Sequence, residues 1–116
     1  MDDTPQHTLP AHVFVALEAD EAIAAHARAQ DAHVAVSDRR LIVATDERVT
    51  LAIPFGGLRR VQFDIEKDRP ATLVLVPKAF QHPPQVLAVP PEEYGAIARA
   101  LAAIGVGLQR AAATAG

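Results

Sequence analysis

Two β-branched runs, His33-Val34-Ala35-Val36 and Leu41-Ile42-Val43-Ala44-Thr45, flank the polar quartet Ser37-Asp38-Arg39-Arg40. Ser and Asp side chains fold back onto nearby backbone N–H groups, so such a quartet between apolar runs predicts a hairpin. Further along, Val49-Thr50-Leu51-Ala52-Ile53 alternates, and Pro54-Phe55-Gly56-Gly57 turns the chain with residues that fix or free φ. Leu58 to Glu66 carries the cleanest period of two. Val61, Phe63 and Ile65 define one face and Arg60, Gln62 and Asp64 the other, which predicts a strand with one side in water. Glu66-Lys67-Asp68-Arg69-Pro70 reads as a charged turn. Ala71 to Val76 is apolar on both faces and predicts a more buried strand. Pro77 to Gln85, with two adjacent prolines, predicts a loop, and Val86 to Val89 one more short strand.

The two ends of the chain differ from this pattern. Residues 1 to 8 are polar and read as a flexible end, whereas Leu9 to Leu17 is apolar and opens with Pro10, which suits the first turn of a short helix. Asp20 to Gln30 has two readings. Its alanines favour helix, yet Ile23, Ala25, Ala27 and Ala29 alternate with Ala24, His26, Arg28 and Gln30 at strand period. After Val89 the period changes. Pro90 and Pro91 stop the strand and pre-set a helical first turn, with Glu92 and Glu93 near its positive end. Tyr94, Ile97, Leu101, Ile104 and Leu108 then recur at spacings of three and four, one apolar stripe whose burial is worth on the order of 10 kcal/mol as an upper estimate. Gly105 and Gly107 weaken the last turn, and 111–116 reads as a flexible tail. Short strands with frequent turns, followed by one amphipathic helix, predict a mainly β sandwich or small barrel spanning 9–110 as a single domain.

Composition narrows the chemistry. The 116 residues suit one core, and with aromatics scarce that core must be filled by Ala, Val, Leu and Ile. A net charge of -3 argues against nucleic acid as partner, because that class neutralises phosphates with clustered Lys and Arg. No cysteine is present, so disulfides and thiolate sites are excluded. The acidic start Met1-Asp2-Asp3-Thr4-Pro5 does not read as a secretory signal, and no run approaches the ~20 apolar residues of a spanning helix. The expectation is a soluble cytoplasmic protein.

The order of these segments resembles bacterial pleckstrin-homology-like (PH-like) domains. The resemblance rests on Val36-Ser37-Asp38-Arg39-Arg40-Leu41, on Ile53-Pro54-Phe55 and on the alternating Leu58 to Glu66, and covers about Asp20 to Leu108. It implies seven antiparallel strands, Asp20 to Gln30 supplying the first, forming a barrel capped by the C-terminal helix. It also implies loops at the other end that hold ligand. Family members that grip phosphoinositides use Lys and Arg after the first strand. Here the corresponding loop is Gln30-Asp31-Ala32-His33, and Asp46-Glu47-Arg48 adds two acids to one base, so a phosphate would meet like charge.

Candidate chemistry is sparse. His7, His12, His26, His33 and His82 show no helical i, i+4 pairing and no HExxH pattern, and read as scattered surface imidazoles with no metal site. No Gly-x-Ser-x-Gly elbow accompanies Ser37, and Asp38 reads as an acceptor of turn hydrogen bonds. Gly56-Gly57 lacks a following Lys-Ser or helix and serves a turn. The tandem pairs Arg39, Arg40 and Arg59, Arg60 are the candidate binding residues, set against a reading as solvated strand ends balanced by Asp38, Asp64 and Glu66. Tyr94 reads as a helix anchor. The functional expectation is a non-enzymatic binding or scaffolding module without cofactor, engaging another protein or itself through a sheet face or strand edge. The alternatives are weak peripheral association with anionic membrane through the arginines, and a small-molecule binder or enzyme of unrecognised type.

Overall fold

The computed structural model describes residues 9–115. In chain order its elements are α1 (Ala11–Ala16), β1 (Ile23–Arg28), β2 (His33–Ser37), β3 (Arg40–Ala44), β4 (Val49–Pro54), β5 (Leu58–Asp64), β6 (Ala71–Pro77), β7 (Gln85–Val89) and α2 (Tyr94–Ala115). Short 3₁₀ turns at Phe55–Gly57 and Pro91–Glu93 lead into β5 and α2. The fold is mainly β. Strands β1-β2-β3-β4 form one antiparallel sheet and β5-β6-β7 a second, and the two do not close into a barrel. One bond between them runs from the Gln30 N–H to the Ala88 carbonyl at 2.8 Å.

The central hairpin forms where its polar quartet predicts, with Val36 opposite Leu41 and Val34 opposite Val43. Only Asp38 and Arg39 connect the strands. No described residue has positive φ, so the connection relies on a side chain: the Ser37 hydroxyl accepts the Arg39 and Arg40 N–H groups at 3.0 and 2.9 Å. Thr45 repeats the device, its hydroxyl accepting from Glu47 and Arg48 at 3.1 and 3.2 Å. Asp38, expected to serve the turn, instead accepts the Ala22 N–H at 3.1 Å and returns its own N–H to the Ala22 carbonyl. That exchange fastens the chain entering β1 to the hairpin tip.

Two cores result. Between the sheets and α2 lie Val34, Val36, Leu41 and Val43 with Leu73, Leu75, Val89, Ile97 and Ile104. On the opposite face of the first sheet, Leu9 and Val13 of the α1 segment cover Ala35, Ile42 and Ala44. Strands β2 and β3 are therefore buried on both faces, which is why their sequences lack polar alternation. In β6 only alternate residues are fully buried, so its second apolar face is half covered.

The boundaries differ from expectation in four places. Pro10 caps α1 in an extended conformation instead of occupying its first turn. Strand β5 ends at Asp64, which leaves Ile65 exposed. The helix continues through Ala115, so the tail expected at 111–116 is helical up to there; the end expected to be flexible, 1–8, lies outside the described residues. Finally, 91–113 is long and apolar enough to cross a membrane by length and composition. Its Ile97, Ala100 and Ile104 are buried in the domain core, and its outer face is rich in alanine.

Gly105 and Gly107 stand in opposite situations. A Cβ on Gly105 would meet nothing within 4 Å, whereas a Cβ on Gly107 would overlap the Phe55 ring. Gly107 thus admits Phe55 against the helix backbone. Gly105→Ala is expected to raise stability by up to about 1 kcal/mol through helix propensity. Gly107→Ala should lower it by about 1–2 kcal/mol, because overpacking outweighs the same propensity gain. Urea titration of both variants measures the difference, and equal midpoints would contradict the Phe55 contact.

Candidate binding site

Of the four candidate arginines, two are already occupied. Arg40 projects to the α1 side of the first sheet, where its Nε and Nη2 donate to the Glu21 carboxylate at 3.0 and 2.6 Å and Nη2 also reaches the Ala16 carbonyl at 2.7 Å. The Glu21 side chain is fully enclosed. It accepts in addition from the Ser37 hydroxyl and from the Glu18 N–H. The Arg40 guanidinium, then the Ser37 and Glu18 donors, hold the Glu21 carboxyl at about 2 against the opposing effect of burial. Arg39 lies at the surface between Glu18 at 2.7 Å, Asp20 at 2.8 Å and Asp38 at 3.7 Å. Its hydrogen bond lowers the Asp20 carboxyl below the ordinary value. This pair therefore clasps the α1–β1 connection and has little capacity left for a ligand. Glu21 carries no local signature of this ion pair in the sequence, since its side-chain partners Ser37 and Arg40 are 16 and 19 residues away.

Arg59 and Arg60 are exposed, and among the described residues neither makes an ion pair. The expected balancing acids are engaged elsewhere: Asp64 accepts from Gln62 at 2.7 Å, and Glu66 pairs with Arg69 at 3.3 Å. The two arginines border a groove of about 380 Å³ between β5 and the second half of α2. Leu58, Val61, Leu101, Ile104 and Leu108 supply its apolar walls, Gly105 leaves the helix side open, and among the described residues no carboxylate lines it. A bulge between Leu58 and Arg60 interrupts the pairing with β6 at this point. The helix stripe contains Leu101 and Leu108 and by its spacing predicts core filling alone; half-buried side chains at the stripe's margin are what make a groove wall.

At the opposite end of the first sheet, a second depression of about 380 Å³ is lined by Arg28, Gln30, Asp31, Ala32, His33, Thr45, Asp46 and Glu47. His33 is not a surface imidazole: it is 4% exposed, and its Nε2 lies 2.8 Å from the exposed Asp46 carboxylate, which that contact lowers below its ordinary pKa. His12 is likewise engaged, with Nε2 2.9 Å from the Thr45 carbonyl. Three carboxylates and one guanidinium line this depression, an arrangement that repels phosphate. Among the described residues no group of three His, Asp or Glu side chains is placed to hold a metal ion. Tyr94 packs edge-on against Phe63 with ring centroids 5.8 Å apart, and Glu93 Oε1 accepts the Arg28 N–H at 2.9 Å, so the start of α2 is tied to both sheets. No protein-family model, curated protein or solved structure matches the chain.

Proposed function

We propose that the chain is a non-enzymatic PH-like binding module, whose groove between β5 and α2 receives a segment of another protein that is apolar along its length and carries an acidic residue. The observation that carries this reading is that, among the described residues, Arg59 and Arg60 make no ion pair and the apolar cleft beside them has no lining carboxylate. Apolar walls supply contact area, and the two guanidinium groups select a carboxylate by charge complementarity. The PH-like assignment draws support from the order of a four-stranded sheet, a three-stranded sheet and a C-terminal helix, together with the motifs from Val36 to Glu66.

A displayed random-peptide library selected on the immobilised domain tests the proposal. Enriched peptides should combine Leu, Ile or Phe with Asp or Glu. Their affinity should drop at least tenfold with the Arg59→Glu/Arg60→Glu double variant, and with Gly105→Leu, which fills the groove from the open side of the helix. Peptides lacking acidic residues, or binding that ignores both variants, would remove the groove from consideration. A concentration-dependent dimer lost in the same variants would identify a second copy of the chain as occupant instead.

A further inference from the structure

Phe80, in the loop between β6 and β7, has its ring wholly in solvent. Large aromatic side chains are rarely left so, because burial is worth more for them than for other residues. The loop is anchored at its base: the Lys78 N–H donates to the Gly57 carbonyl at 2.9 Å, and the His82 N–H to Ala79 at 3.1 Å closes a turn with Phe80 inside it. Val86, on the strand leaving the loop, is also exposed.

Strand register places the charges around this loop. Leu58 lies opposite Pro77 and Arg60 opposite Val76, so Arg59 and Arg60 share one end of the second sheet with the exposed Lys78. The acids of this half of the molecule lie at its other end: Asp64, Glu66 and Asp68 follow or close β5, and Glu92 and Glu93 follow β7. The acids around Arg39 and Arg40 belong to the α1 side of the first sheet. One end of the second sheet therefore carries three cations and a protruding aromatic ring, although the chain as a whole is acidic.

We propose that this end docks on an anionic lipid bilayer, with Phe80 entering the interface and Lys78, Arg59 and Arg60 lying over acidic headgroups. A ring on a convex tip with dispersed cations behind it suits a broad negative surface; a protein partner would have to supply a pocket of its own. Each cation near such a surface strengthens binding about fivefold, and the attraction weakens with salt. The inference goes beyond the groove, since Phe80 and Lys78 are not among its lining residues.

Flotation of the full chain with phosphatidylcholine vesicles, with and without phosphatidylserine, decides it. Binding is expected only with phosphatidylserine, and it should decline as salt rises. Phe80→Ser should weaken it at least tenfold, Lys78→Glu about tenfold, and Arg69→Ala at the far end of the sheet not at all, with melting temperatures unchanged because all three side chains are exposed. Absence of phosphatidylserine-dependent flotation, or flotation undiminished by Phe80→Ser, overturns the proposal. If Phe80→Ser abolishes binding of the selected peptides while vesicles are ignored, the loop is a protein contact and the bilayer is excluded.

Discussion

Arg40→Ala is expected to destabilise the fold by about 3 kcal/mol in a urea titration. The reason is the carboxylate left behind. Glu21 is fully enclosed and loses both guanidinium bonds, so a charge that cannot reach water remains without its counter-ion. Arg40 itself stays 22% exposed, which keeps the loss at the lower end of the range for buried pairs. Arg39→Ala, whose partners are all in solvent, should leave the melting temperature nearly unchanged. The same pair sets the acid response. The Glu21 carboxyl is depressed from its ordinary 4.5 to about 2, so its contribution is complete above pH 4.5 and is lost as pH falls towards 2. Wild-type protein should weaken across that window, and Arg40→Ala should show a shallower decline there. Parallel curves would show that Arg40 does not hold the Glu21 proton off.

Ile97→Ala should cost about 2–5 kcal/mol, the other large effect. Ile97 is fully buried in the core that the two sheets share with α2, and truncation leaves a cavity its well-packed neighbours can only partly close. Leu101→Ala should cost less, because Leu101 is half-buried and already borders open groove space. Arg99→Ala, on the exposed face, should be close to neutral. Thermal melts that rank Leu101 above Ile97 would mean that the helix is rotated from the orientation described here.

The two arginine pairs show why sequence and surface must be read together. In one dimension they are alike, tandem cations at strand ends. Among the described residues, folding gives the first pair four acidic partners and the second none, and this difference turns one into a structural clasp and the other into the rim of a groove. The protruding Phe80 carries a similar lesson. The loop reading of Pro77 to Gln85 gives Phe80 no special place; its full exposure and the cations beside it emerge only from the folded chain and the strand register.

What the amino-acid order determined alone is the local and periodic part of the protein. Alternation in Leu58 to Asp64, the hydroxyl-bearing turn at Ser37, and the three-and-four spacing of Tyr94 to Leu108 each express short-range physics, backbone geometry and side-chain facing, that no distant contact needs to supply. Tertiary structure alone decided the long-range part. The sheets stay apart as two layers, α1 buries the second face of β2 and β3, Glu21 meets Arg40, and Gly107 admits Phe55. These depend on which surfaces are left uncovered once the local elements exist. Their energetics reside in desolvation and packing between residues far apart in sequence, which hydrophobic period does not encode.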